Sequence, residues 1–136
     1  MPLITWTDKL SVQVPSIDEE HKNLVEMINL LHDGIEAQRG HEILGRVLTG
    51  LLAYTEEHFS HEEKLFLGTE FPDSEHHLNE HAYFISRVKE ELRHYRSSPS
   101  AVMSTEVLKF LAKWLLDHIQ GSDQKYVEYV LAAGGV

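Results

Sequence analysis

Cysteine is absent from this chain, which excludes disulfides, zinc–thiolate sites and iron–sulfur clusters together. Basic residues are few: 12 Lys and Arg stand against 22 Asp and Glu, for a formal charge of −10. An acid excess of that size disfavours binding to phosphate backbones, so nucleic acid is not an expected partner. Its plain reading is solubility. Long hydrophobic runs are also missing, since charge interrupts every apolar stretch within a few residues. An integral membrane protein is therefore not expected. The N-terminus, Met1-Pro2-Leu3-Ile4-Thr5-Trp6, has no basic region followed by an apolar stretch and does not read as a signal peptide. The expected location is cytoplasmic. Strand alternation, internal repeats and low-complexity tracts are not found either.

What is present is enough apolar material for a core, 42% of 136 residues, and the length suits one domain spanning 1–136. Before Ser16, the segment with Pro2, Trp6, Leu10, Val12, Val14 and Pro15 reads as an irregular arm packed on the domain. Ser16-Ile17-Asp18-Glu19 fits a capping box. Ile17, His21, Leu24, Ile28, Leu31 and Ile35 then recur in steps of four and three, one face of a helix that Arg39-Gly40 should close. A second helix carries Leu44, Val47, Leu51, Tyr54, His58, then His61 or Glu62, then Leu65, with Gly68 and Phe71-Pro72 as its stop. A third, capped by Asp73 or Ser74, places His77, His81, Phe84, Val88, Leu92 and Tyr95 inward. Ser97-Ser98-Pro99-Ser100 is the clearest linker. The fourth carries Val107, Leu111, Trp114 and His118 and continues through Tyr126 and Val130. The expected fold is all-α: an up-down-up-down antiparallel four-helix bundle with an irregular N-terminal arm.

The histidines are the unusual feature. There are ten, and His21, His58, His77, His81 and His118 fall on the apolar seam. One unpaired polar ring in a core costs roughly 1–3 kcal/mol, and a lone core histidine is usually just hydrogen-bonded. Five converging in one core, with Glu62 and Asp123, have too few protein partners unless they bind metal. Imidazole binds metal as the neutral ring, and a carboxylate can bridge two ions. His58 and Glu62 are four apart and stack on one face, as do His77 and His81. His118 and Asp123 are five apart, about 140° out of register on an ideal helix. A π-bulge would realign them, with Gly121 between to permit it. Donors of nitrogen and oxygen without thiolate suit iron, manganese or zinc. Two octahedral ions holding five imidazoles, two bridging carboxylates and one bridging oxygen keep one position open, as reversible binding of a small molecule requires. His32, His41, His61, His76 and His94 fit solvated or helix-end positions.

These residues resemble the hemerythrin family, in its single-domain bacterial branch, over nearly the whole chain. The resemblance lies in the arm with Trp6, Ile17-Asp18-Glu19-Glu20-His21, His58-Phe59-Ser60-His61-Glu62-Glu63, His77-Leu78-Asn79-Glu80-His81, and Trp114-Leu115-Leu116-Asp117-His118-Ile119 with Asp123. It implies a cofactor of two iron ions, non-haem and oxo- or hydroxo-bridged, that binds dioxygen reversibly for storage, transport or delivery to an oxygen-consuming enzyme. It implies that His77, His81 and His118 complete one iron, that His21 and His58 hold the other, which keeps the open position, and that Glu62 and Asp123 bridge the pair. It further implies an apolar oxygen pocket of Leu24, Phe59, Trp114, Leu115 and Ile119, with Tyr126 close by. Leu65 and Phe66 stand where the family often has methionine, a departure that affects packing and not the ligands.

Two enzymatic readings compete. A ferritin-like di-iron oxidase, peroxidase or ferroxidase uses two Glu-x-x-His motifs, whereas one such motif is found here, Glu91 to His94. A zinc peptidase could use His77-Leu78-Asn79-Glu80-His81 with Glu80 as base, but that leaves His21, His58 and His118 unexplained. The expectation is a carrier, not an enzyme, with no catalytic residues.

Overall fold

The computed structural model describes residues 2–97 and 101–134, and within 101–103 the backbone alone. Four long helical stretches follow the arm: α1 Pro15–Glu36, α2 Gly40–Leu67, α3 Ser74–Ser97, and α4 Ala101–Asp117, which runs on through a π-helical segment, His118–Asp123, into α5 Gln124–Ala132. Each stretch packs on its chain neighbour, and α4 returns to α1. With short connections between them, this gives the antiparallel bundle expected from the periodicity. Residues 98–100 of the expected linker lie outside the described residues.

The start of α1 differs from expectation. Ser16 is not a capping residue: the helix begins at Pro15, with Val14 at the N-cap and no side-chain cap hydrogen bond. Proline at the first helical position has φ already set and no N–H to leave unpaired. The Asp18 carboxylate instead accepts from the Val12 N–H (2.8 Å) and the Ser11 hydroxyl (2.6 Å), drawing the arm onto the helix. Further along, Asn29 clamps the Ile4 backbone in both directions, at 2.9 and 2.8 Å. Gly40 does not close α1. It opens α2, and the turn is made by Gln38 at φ 60°. A Cβ on Gly40 would lie 2.5 Å from Ile35 Cγ1, so glycine is required there by the close approach of the helices.

The core has two apolar clusters. The larger joins Leu24, Ile28, Leu31, Leu44, Leu48, Phe59, Phe84, Val88, Leu111, Leu115 and Ile119. The smaller joins Val12, Val14, Ile17, Phe66, Phe71, Tyr126 and Val130. On every helix the candidate ligands fall between members of the two clusters: His21 between Ile17 and Leu24, His58 and Glu62 just before Phe66, His77 and His81 between Phe71 and Phe84, and His118 and Asp123 before Tyr126. A layer of buried polar groups thus divides the core.

Candidate metal centre

All seven candidate ligands are buried, none more than 4% exposed. The π segment does what the five-residue spacing demands. Each residue in it turns through a smaller angle than in an α-helix, so His118 and Asp123 come to one face, and His118 Nε2 lies 3.0 Å from Asp123 Oδ1. Gly121 is not needed for this. Its φ is ordinary and a Cβ there would meet nothing within 4 Å.

The carboxylate oxygens divide the histidines into two sets. Glu62 Oε1 lies 3.2 Å from His77 Nε2 and 3.0 Å from His81 Nε2. Asp123 Oδ1 lies 3.0 Å from His77 Nε2 and from His118 Nε2. The opposite oxygens face the other pair: Glu62 Oε2 is 3.4 Å from His21 Nε2 and 3.7 Å from His58 Nε2, and Asp123 Oδ2 is 3.2 Å from His21 Nε2. Ligand atoms of Glu62, His77, His81, His118 and Asp123 lie within 4.8 Å of one another, as do those of His21, His58 and Glu62.

Protein partners alone leave this cluster poorly satisfied. His81 Nε2 and His118 Nε2 face each other at 3.1 Å, where a single proton at most can lie between them. Neither Asp123 oxygen receives an aligned hydrogen bond despite the nearby rings, and Nδ1 of His21 and of His77 has no partner. Buried polar atoms are seldom left so. Cations placed between the ring nitrogens and the carboxylates would satisfy Nε2 and oxygen together, and the donor set fits iron.

Without metal the layer holds protons instead. Burial alone would lower the pKa of His21, yet the Asp123 and Glu62 carboxylates raise it to about 9. His118 is likewise opposed by burial and raised to about 10 by Asp123, Glu80 and Glu62. Burial works to raise the Glu62 pKa, but hydrogen bonding from His21, His77 and His81 holds it well below the usual carboxylate range. Asp123 is depressed by His118 and His21 against burial and the adjacent Glu62.

Three residues that sequence reasoning did not assign brace the ligands from outside. Glu20, on α1, accepts from His58 Nδ1 on α2 at 2.6 Å, and its other oxygen takes His61 Nδ1 at 2.8 Å. Glu63, on α2, takes His81 Nδ1 on α3 at 2.8 Å. Glu80, on α3, lies 3.3 Å from His118 Nδ1 and accepts from the Ser122 hydroxyl. The His118 contact brings the Glu80 carboxyl down to about 2 against the effect of partial burial. The pattern repeats: a glutamate beside one helix's ligand steadies a histidine of the next helix. Its signal in the sequence was a glutamate flanking a ligand three times, in Glu20-His21, Glu62-Glu63 and Glu80-His81. Tyr126 sits where it was expected, its hydroxyl donating to Glu62 Oε2 at 2.8 Å.

The five residues expected around an oxygen pocket share the larger apolar cluster, with Leu24, Phe59, Leu115 and Ile119 buried and Trp114 packed against them. Phe59 stacks on His81 (centroids 3.8 Å, 4°) and tilts against His58 (5.6 Å), meeting both histidine sets. Trp114 stacks on His118 (4.5 Å, 12°). The competing motifs lie elsewhere. His94 is exposed and Glu91 pairs with Arg87 at 3.0 Å. Glu80 sits behind His118, not in the ligand layer. His61 and His76 stay at the surface, with side chains 38% and 66% exposed.

Residues 13–130 match the hemerythrin HHE cation binding domain. The chain is 33% identical over 132 residues to a bacteriohemerythrin of Stenotrophomonas maltophilia, covering 97% of this chain and 84% of that protein. It is 29% identical to a myohemerythrin of Theromyzon tessulatum, covering 89% and 88% of the two chains. A crystal structure of wild-type hemerythrin superposes with a TM-score of 0.83 at 26% identity, covering 94% of this chain and 98% of that one. The divided histidine layer, the π segment that completes it and these likenesses agree: the chain belongs to the hemerythrin family.

Proposed function

We propose that this protein binds dioxygen reversibly at a non-haem di-iron centre held by His21, His58, Glu62, His77, His81, His118 and Asp123, and that the whole chain, 1–136, serves as one oxygen-binding domain. The observation that carries this reading is the split of each carboxylate, one oxygen toward the set of His77, His81 and His118 and the other toward the set of His21 and His58. An ion on the three-histidine side would be filled by protein and a bridging oxygen; one on the two-histidine side would lack a ligand. A bound ferrous pair supplies the two electrons that dioxygen takes up on binding and returns on release.

The chain's own groups set the conditions for that exchange. A proton on His58 Nδ1, donated to Glu20, leaves Nε2 with a free lone pair, and Glu63 does the same for His81. The Tyr126 hydroxyl fixes the Glu62 oxygen on the two-histidine side. Leu24, Phe59, Trp114, Leu115 and Ile119 form the oxygen pocket in this reading, excluding the water and anions that would promote irreversible oxidation. The protein is a carrier and not an enzyme, since nitrogen-rich ligation favours holding dioxygen over cleaving it. No helix among the described residues is long and apolar enough to cross a membrane. In keeping with that, we place the protein in the cytoplasm, storing oxygen or delivering it to an oxygen-consuming enzyme, with no nucleic acid partner.

The test is an absorption spectrum of the reduced protein before and after air, with iron quantified. Two irons per chain and an oxygen-to-iron charge-transfer band that disappears on degassing are expected. A single zinc, or irreversible oxidation with turnover, would overturn the reading.

A further inference from the structure

The aromatic rings beside the three-histidine set continue outward without a break. Phe59 lies flat on His81 and Trp114 flat on His118, and the two rings are 6.1 Å apart. Trp114 meets Phe84 at 4.4 Å, Phe84 stacks on Phe110 at 6.0 Å, and Phe110 meets Tyr83 at 6.3 Å. Tyr83 is 53% exposed. His118, Trp114, Phe110 and Tyr83 also line one surface cavity of about 360 Å³. At the two ends of this column stand the side chains that give up an electron most readily, an indole against a ligand imidazole and a half-exposed phenol beside Arg87.

We propose that this column, from Trp114 to Tyr83, conducts oxidising equivalents away from the metal centre to a surface phenol. The inference rests on the di-iron reading and adds to oxygen carriage a slow protective side reaction, the clearing of peroxide that escapes the site. The oxidant is hydrogen peroxide, which is two-electron-reduced dioxygen lost from the site. Its reduction to two waters takes two electrons and two protons. In each of two steps Trp114 gives one electron and recovers it from Tyr83, which releases its phenolic proton to solvent. A one-electron donor of the ascorbate or phenol class returns a hydrogen atom to Tyr83. In sum, one peroxide and two donor hydrogen atoms give two waters and two donor radicals.

Tyr126 is nearer the ligands but worse suited. A phenol must lose its proton on oxidation, and its hydroxyl is buried against Glu62, itself a ligand in this reading. An indole passes on an electron without first finding a proton acceptor. Trp6, the other tryptophan, packs against the larger apolar cluster under Lys22, and its ring meets no candidate ligand ring among the described residues.

The experiment uses iron-loaded protein whose iron content and air-dependent band have first been measured. Hydrogen peroxide is added without any reductant, and the products are mapped by peptide mass spectrometry and dityrosine fluorescence. Without a donor, the first electron is lost from Tyr83 and the second from Trp114. Covalent dimers joined through Tyr83 and oxidised indole at Trp114 are therefore expected, with Trp6 unmodified. Y83F, at an exposed position, should keep its iron and lose the dimer; W114F, compared per iron bound, should lose the dimer as well; ascorbate should suppress both marks. Oxidation spread evenly over Tyr54, Tyr95, Tyr129 and Trp6, or centred on Tyr126 and Tyr129, would overturn the conduit while leaving the di-iron reading intact. So would an undiminished dimer in iron-loaded W114F. A protein that takes up no iron at the outset would overturn both.

Discussion

The ligand layer and the larger apolar cluster lie side by side in one bundle, but they are held by different forces. Around Leu31, Leu44, Leu48 and Leu111 the helices bury hydrocarbon with no exposure at or above 1%, and that end needs nothing but its own side chains. Two to three turns further along the helices, five imidazoles and two carboxylates are also buried, none more than 4% exposed, and their own contacts leave ring nitrogens and carboxylate oxygens without aligned partners. The first region is held by what it excludes, whereas the second is held by protons on its imidazoles or, in the reading proposed above, by bound metal. A helix can serve both because it requires periodicity of its inward positions and not any one chemistry there.

Removing the metal should have the largest effect on that contrast. A ligand at a thousand times its Kd stabilises the folded chain by about 4 kcal/mol, so chelation should lower Tm by on the order of 15 °C. Calorimetry of loaded and stripped protein measures it, and equal Tm values would mean that the layer satisfies itself. Next come paired truncations. Leu48→Ala should cost about 2–5 kcal/mol in both loaded and stripped protein, because it leaves a cavity. His118→Ala should erase the difference between the two states by losing metal, which iron analysis would show directly.

A pH series separates the regions further. The folded pKa values of His21 and His118, about 9 and about 10, lie above the unfolded value of about 6.5. Their protonated forms therefore stabilise the stripped protein fully below about pH 6.5, and that contribution fades as pH rises through 9 to 10. Loaded protein, whose imidazoles are already neutral, should not lose stability in that window. Correspondingly, adding ferrous ion to weakly buffered stripped protein at pH 7 should release protons. A smaller effect is expected from Glu20→Gln, which weakens the brace on His58 and should reduce metal affinity about 10–100-fold by competition with a chelator. His94→Ala should change neither iron content nor Tm, and a measurable loss of iron would move the boundary of the layer.

The apolar spacing in the sequence was sufficient to place the four helical stretches, since inward positions must recur at the helical period whatever the neighbouring helix is. The five-residue gap from His118 to Asp123 likewise demanded a π turn, which is where it occurs. Helix ends were less legible. Ser16 looked like a cap, but Pro15 sets the start and Asp18 is used on the arm. Gly40 looked like a stop, but Gln38 makes the turn. In both places the deciding contact comes from residues that a local motif does not include. The bracing carboxylates were missed for the same reason: Glu20, Glu63 and Glu80 each act on a histidine of a different helix.

The order of residues by itself determined which donors exist, that they lie on inward faces, and that cysteine chemistry is excluded. Tertiary structure alone decided how each helix is rotated against the next. On that rotation depend the assignment of each carboxylate oxygen to a histidine set and of each outer glutamate to its ring. The physical reason is range: helical period is a property of successive residues, whereas the meeting of a carboxylate with an imidazole thirty or forty positions away is fixed only by packing.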